Sequence, residues 1–275
     1  MTGPPDGGEA GRKRRLDVAV ASRGLARSRT HAARLIALGN VTVEGETVTR
    51  PAFPVVPSAR IVVRRDHYVG RGAVKLVAAL DAFGLAVAGR QALDAGASTG
   101  GFSQVLLERG ASVVAVDVGH GQLAPELVDH PRLRAYDGVN VRSIDAEAYG
   151  RLTGGARRPD LVVADLSFIS LTQVIPALVA TAAREADFVL LVKPQFEVGR
   201  RGVPAGVVRS ARLREGAVNG VVAALFRAGL GVAGIIPSPI TGEKGNREYL
   251  VHATRRCRAD PTEWEGRIRD MVGGR

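Results

Sequence analysis

Four charged residues, Lys75, Asp165, Lys193 and Glu248, hold the densest chemistry in this chain. Lys75 follows Arg71-Gly72-Ala73-Val74, and Asp165 opens the run Asp165-Leu166-Ser167-Phe168-Ile169-Ser170. Lys193 closes the apolar run Leu190-Leu191-Val192 ahead of Pro194, and Glu248 follows Gly245-Asn246-Arg247. Two ammonium groups and two carboxylates suit the activation of a hydroxyl. An ammonium beside a hydroxyl stabilises the developing alkoxide and lowers the effective pKa of that hydroxyl. Lys193, relieved of its own proton by a cationic neighbour, would instead serve as general base. Asp165 and Glu248 would position the lysines and balance their charge. A single lysine after an apolar strand is usually a solvated strand end, so the reading rests on all four together.

The second constellation is a loop. A short apolar strand ends in Asp94 and runs into Ala95-Gly96-Ala97-Ser98-Thr99-Gly100-Gly101, and a helix opens at Phe102. Glycines there permit positive φ and let a ligand approach the backbone. The next strand, Val113-Val114-Ala115-Val116, ends in Asp117, 21 residues beyond Gly96. That spacing suits a carboxylate that accepts both ribose hydroxyls of a nucleoside. The strict dinucleotide pattern of three glycines is absent. Asp94 would repel a pyrophosphate but would meet a cationic amino group, so S-adenosylmethionine is favoured over a dinucleotide. Cofactor contacts are expected from Asp94, Gly96, Ala97, Ser98, Thr99, Gly100, Gly101, Phe102, Asp117, Val118 and Asp165. Gln122 and Leu123 would flank the adenine, and Asp137 or Asn140 would accept from its amino group, with Asn140 preferred.

Absences narrow the acceptor. Enzymes that methylate exocyclic base amines tend to carry Asn/Asp-Pro-Pro-Tyr/Phe after the fourth strand, where this chain has Asp165-Leu166-Ser167-Phe168. Carbon-5 methylation of a pyrimidine needs a nucleophilic cysteine. The single cysteine, Cys257, lies beyond the last expected strand and allows no internal disulfide, which fits a reducing cytoplasm. No His/Cys cluster has metal-ligand spacing, so no metal is expected. No apolar run reaches about 18 residues, so no spanning helix is expected.

These residues need a frame. Apolar strands at 92–94, 113–117, 133–136, 161–164, 188–192, 232–236 and 249–253 alternate with amphipathic helices, clearest at 102–109, 171–183 and 211–228. This alternation predicts an α/β, Rossmann-like domain over 73–255 with a mostly parallel seven-stranded sheet. Before it, residues 15–63 read as a small α+β unit of two helices, a hairpin around Glu44-Gly45 and a last strand at 61–63. Ser28 is placed to cap the second helix. Residues 1–14 read as a disordered tail, 64–72 as a charged linker and 256–275 as a tail or helix. The net charge is +11, and residues 1–70 carry 12 lysines and arginines against 6 acids. A surface this basic attracts polyanions, nucleic acid first among them. Arg23, Arg27, Arg29, Arg34 and Arg71 are the expected phosphate contacts. Phe168 and Phe196 have two readings, stacking on a splayed-out base or burial in the core. The Gly-rich segment 193–209 reads as a substrate lid.

Three resemblances add to this. Arg15-Leu16-Asp17, Arg23 to Arg29, Ala33-Arg34-Leu35-Ile36, Gly39-Asn40-Val41 and Val43-Glu44-Gly45 resemble the RNA-binding domain first seen in ribosomal protein S-four, which usually carries Asn where Glu44 stands. The order Lys75, Asp165, Lys193, Glu248 resembles ribose 2′-O-methyltransferases of the FtsJ type. From Arg15 to Ala253 the chain is similar to the TlyA family, bacterial rRNA 2′-O-methyltransferases also labelled hemolysin A. That resemblance implies S-adenosylmethionine-dependent methylation of cytidine ribose in 16S and 23S rRNA, by a cytoplasmic monomer acting on rRNA in ribosomal subunits. It also implies a link to capreomycin susceptibility. Relatives carry an Arg-Ala-Trp-Val type linker where this chain has Asp66-His67-Tyr68-Val69. The competing reading is a catalytically inert RNA-binding factor for ribosome assembly, against which the intact loop and the four-residue set both argue. Membrane lysis finds no support in the sequence.

Overall fold

The computed structural model describes residues 13–26, 28–37, 39–63, 67–199, 203–257 and 260–273, apart from the side chains of Arg34 and Pro204. The chain forms two compact units, Met1–His67 and Tyr68–Arg275.

The small unit runs β1 (Arg14–Arg15), α1 (Leu16–Ser22), α2 (Arg29–Ala37), β2 (Val41–Val43), β3 (Glu46–Thr47), β4 (Pro54–Val55) and β5 (Ile61–Val63). Strand β1 pairs with β4, and β2 lies between β3 and β5. The helices press Leu16, Val20, Ala32, Leu35 and Ile36 onto Val41 and Val43 of the sheet, all of them buried. Ser28 caps α2, its Oγ accepting from His31 N at 3.1 Å. The two hairpin residues, Glu44 and Gly45, both have positive φ, +50° and +89°, as a type I′ turn requires. Glu44 offsets its strain by accepting from Arg60 N at 2.7 Å.

The large unit runs α3 (Gly72–Ala82), β6 (Gln91–Ala95), α4 (Gly101–Glu108), β7 (Ser112–Val116), α5 (Pro125–Val128), β8 (Leu133–Tyr136), α6 (Ala146–Thr153), β9 (Leu161–Ala164), α7 (Leu171–Thr181), β10 (Asp187–Val192), α8 (Pro194–Glu197), α9 (Ala211–Arg227), β11 (Gly231–Pro237), β12 (Tyr249–Thr254) and α10 (Glu265–Gly273). Its seven strands stand in the order β11-β12-β10-β9-β6-β7-β8. The pairs from β10 to β8 are parallel, and β12 runs antiparallel to both β10 and β11. Every residue of β9 and β10 is buried, because helices cover both faces of the sheet. Each such Val or Leu contributes about 1.5–3 kcal/mol of burial. Helix α10 adds Ile268 and Val272 to the core that α7 and α9 build.

This topology positions the chemistry. Parallel β6, β7, β9 and β10 end on one edge of the sheet, where α/β folds hold ligands. Antiparallel β12 starts on that same edge, with Tyr249 opposite Val192. Glu248 and Lys193, which flank those two residues 55 positions apart in the chain, are therefore neighbours.

Candidate active site

The four charged residues converge at the strand ends. Lys75 Nζ lies 2.6 Å from Glu248 Oε2 and 3.9 Å from Asp165 Oδ2. Lys193 Nζ lies 2.6 Å from Asp165 Oδ1, and it donates to Ser167 Oγ at 2.8 Å. Lys75, Lys193 and Glu248 are buried, whereas the Asp165 side chain keeps 20% of its exposure. Ionised lysines tolerate such burial because each carries its own counter-charge. Gln195 Nε2 adds a hydrogen bond to Glu248 Oε1 at 3.3 Å. The packing around Glu248 admits no larger neighbour at Gly242, where a Cβ would stand 2.5 Å from Oε1.

Asp165 also faces a cavity of about 420 Å³ bounded by the Gly loop and the ends of β7, β8 and β9. Its wall takes Gly96 and Ser98 from the loop, Asp117, Val118 and Gln122 after β7, and Val139, Asn140 and Val141 after β8. Gly96 has φ +85°, and a Cβ there would reach 2.9 Å from Leu166, which closes the cavity beneath it. Asp117 is held by two backbone donors, Ser98 N at 2.8 Å and Gly119 N at 2.7 Å. A carboxylate has lone pairs beyond those two bonds. Asn140 lines the cavity, with Oδ1 accepting from Arg142 N, whereas Asp137 turns to Gly121 N at 2.7 Å.

Seven expected cofactor residues are not part of this cavity wall. Asp94 is fully buried behind the loop, with Oδ2 accepting from Ser103 Oγ at 2.6 Å and Oδ1 without a hydrogen-bond partner. Burial raises its carboxyl to about 7. Its bond to Ser103 ties β6 to the first turn of α4, just after the loop, and the cavity wall does not include it. Ala97 and Phe102 point into the core, and Leu123 packs there beside Gly100. Gly100 and Gly101 carry the turn into α4, and Thr99 O accepts from Ala124 N; the cavity wall includes none of these three.

A second cavity of about 560 Å³ adjoins the first and shares Phe168 and Ile169 with it. Arg142, Gln173, Gln195 and Phe196 also line it. Phe168 is 91% exposed at φ +66°, its ring centroid 5.3 Å from that of Phe196. Burial in the core, one of its two readings, does not hold for Phe168. Ser167, Gln195 and the apolar wall at Val139, Val141 and Leu166 escaped the sequence reading; only their nearness to Asp165, Lys193 and Asn140 signalled them.

The expected cationic face of the small unit is partly structural. Arg23 gives its terminal nitrogens to Ala59 O and Pro57 O, each at 2.6 Å, and so ties α1 to the segment before β5. Arg29 Nε bonds Asp17 Oδ2 at 3.0 Å. The Arg15 guanidinium, helped by Arg29, holds the Asp17 carboxyl down at about 2. Arg27 lies outside the described residues, as does the side chain of Arg34. Arg71 stands half-buried one turn before Lys75. The segment expected to form a lid opens with α8, and its residues 200–202 lie outside the described ones.

Residues 68–255 match the FtsJ-like methyltransferase family, and residues 14–61 match the S4 domain. A Mycobacterium tuberculosis protein named 16S/23S rRNA (cytidine-2′-O)-methyltransferase TlyA is 50% identical over 245 residues, 87% of this chain and 89% of that one. The chain belongs to the TlyA family of FtsJ-like methyltransferases. Another family relative, named Hemolysin A, from Brachyspira hyodysenteriae, is 38% identical over 86% of this chain and 98% of its own. A solved Streptococcus thermophilus structure, named as a hemolysin, superposes with a TM-score of 0.72 at 34% identity over 95% of each chain. As for the hemolysin name that some TlyA relatives carry, no helix among the described residues is long and apolar enough to cross a membrane.

Proposed function

We propose that the protein methylates the ribose 2′-oxygen of a cytidine in ribosomal RNA, with S-adenosylmethionine as donor. The observation that carries this reading is the convergent set of buried Lys75, Lys193 and Glu248 with part-exposed Asp165, which opens through Asp165 onto a cavity with a nucleoside-like wall. The cavity volume lies in the range of about 300–1,000 Å³ common to small-molecule sites. Asp117 suits ribose hydroxyls, Val118, Val139 and Val141 suit an adenine ring, and Asn140 suits its amino group. Gly96 and Ser98 suit the methionine end. When bound, S-adenosylmethionine supplies a methyl carbon already activated by its sulfonium.

The chain's residues then have one main task, to make a sugar hydroxyl nucleophilic. Lys193 Nζ holds the 2′-oxygen and stabilises charge on it as its proton passes to solvent by way of Asp165, the part-exposed carboxylate beside it. Asp165 and Ser167 fix that nitrogen in place, and Lys75, paired with Glu248, fixes Asp165 from behind. Positioning of this kind contributes most of the rate where the donor is already reactive. The exposed Phe168 ring and the second cavity suit a base turned out of its stack. The small unit's arginines suit RNA phosphates, a contact that positions without reading sequence.

The relatives' names support rRNA cytidine as the acceptor, and the single cysteine supports a cytoplasmic setting. With these go a monomeric state, no resident metal, action within ribosomal subunits, and an RNA-binding unit at 15–63 joined by 64–72 to the catalytic unit at 73–255. The test is transfer of labelled methyl to ribosomal subunits, followed by nucleoside analysis. The expected product is 2′-O-methylcytidine. Label on a base, with ribose untouched, overturns the reading.

A further inference from the structure

The segments that follow β9 and β10 each bring one half of the Asp165–Lys193 pair. They touch at three points already described: that pair, Ser167 with Lys193, and Phe168 with Phe196. A fourth contact lies farther from the reacting atoms. Glu197, at the end of α8, accepts from Leu171 N at 2.8 Å through Oε1 and from Ser170 Oγ through Oε2. Ser170 caps α7, its Oγ accepting from Thr172 N at 3.2 Å. Both carboxylate oxygens are thus spent on the exit of the Asp165-to-Ser170 turn. No ion pair joins Glu197 to a lysine or arginine among the described residues, and burial raises its carboxyl above the ordinary range. A half-buried carboxylate without a counter-cation still loses solvation, which its hydrogen bonds offset, and α7's N-terminus favours negative charge.

The turn needs such an anchor. Phe168 sits at φ +66°, a conformation costly for a side chain of its size, and its ring is exposed, so core packing does not hold it. The turn enters from β9, whose backbone is locked in the sheet, and leaves at Ser170-Leu171, where Glu197 grips it.

We propose that Glu197 is a positioning residue, clamping the Asp165-to-Ser170 turn onto α8 so that Asp165, Ser167 and Phe168 stay registered against Lys193 and Phe196. It touches neither ligand, and its effect passes through Ser167 and Asp165. This inference rests on the methyl-transfer reading above.

The test compares Glu197→Ala and Glu197→Gln in the full-length protein. Measured quantities are kcat and KM for RNA, donor affinity by calorimetry, and thermal melting. Glu197→Ala should lower kcat by about 10²-fold, the cost of a roughly 1 Å misplacement. Donor affinity should fall by less than kcat, because the turn supplies one wall of the donor cavity while Asp117, Val118 and Asn140 on the other walls lie outside the clamp. Glu197→Gln should recover to within about fivefold of wild type, because its amide oxygen still accepts from Leu171 N and the Ser170 hydroxyl can turn to accept. Ser167→Ala combined with Glu197→Ala should cost less than the product of the two single losses, because both act through Lys193. A folded Glu197→Ala with wild-type kcat overturns the proposal. So does an equal loss in both Glu197 variants, or strictly multiplicative losses with Ser167→Ala. Should Glu197→Ala fail to fold, Glu197→Gln and Ser170→Ala carry the test: near-wild-type kcat in the first and a tenfold or larger loss in the second support the clamp, and other results sink it. A wild-type protein that leaves ribose unmethylated would sink the proposed function, whereas an active wild type indifferent to Glu197→Ala sinks only the clamp.

Discussion

Asparagine in place of Asp94 should make the protein more stable above neutral pH. The carboxyl is wholly buried, bonded through Oδ2 to Ser103 and unpartnered at Oδ1, and burial raises it to about 7 from the ordinary 3.8. Between pH 4 and 7 the folded chain therefore keeps a proton that the unfolded chain has released. Stability falls as pH rises wherever the folded state binds more protons. Three pH units at 1.36 kcal/mol each amount to about 4 kcal/mol, fully lost above pH 7. Asparagine has nearly the same shape, its oxygen still accepts from Ser103, and it has no proton to lose. Denaturant unfolding of both proteins from pH 4 to 9 reads the difference directly, because every other group is common to the two. The wild-type curve should fall away from the variant's curve up to pH 7 and then run parallel to it. Curves parallel throughout, or a variant less stable at pH 8, would refute the account of Asp94 as a buried, protonated partner of Ser103.

Other outcomes follow from the same geometry. Lys75→Met should destabilise the large unit by about 3–5 kcal/mol, because it leaves Glu248 buried without its cation; Lys75→Met with Glu248→Gln should recover much of that in the same unfolding assay. Phe168→Ala should raise KM for RNA about tenfold, matching the roughly 1–3 kcal/mol of a base–aromatic stack, with melting unchanged because the ring is exposed. Arg23→Ala should lower the stability of the small unit by about 1 kcal/mol, since the part-buried Ala59 carbonyl loses its donor while the exposed Pro57 carbonyl turns to water, and should change the salt dependence of RNA binding little.

The sequence made the frame legible because its signals are periodic and local. Apolar runs marked the strands, and the Gly loop followed by Asp117 marked the strand ends where a ligand would meet the sheet. The set of four was legible because each member ends or begins an element that meets the same sheet edge. What escaped reading depended on direction. Asp94 ends a strand covered on both faces, and alternation does not reveal which face meets a ligand there. Phe102 and Leu123 stand beside the loop in sequence, but helix α4 and the packing around Gly100 turn them into the core. An aromatic in an apolar-looking motif reads like core, and only the positive φ at Phe168 throws its ring outward. Arg23 reads as a free cation until the carbonyls of Pro57 and Ala59, more than 30 residues away, come into reach.

The most direct measurement is the single-turnover rate of methyl transfer to ribosomal RNA by Lys193→Met, with donor and RNA both shown to be bound. If Lys193 holds the ribose oxygen as its proton leaves, the rate should fall by about 10²–10³-fold while both ligands stay bound, a loss of the size seen when a charge-stabilising donor is removed. A rate within tenfold of wild type would contradict the account.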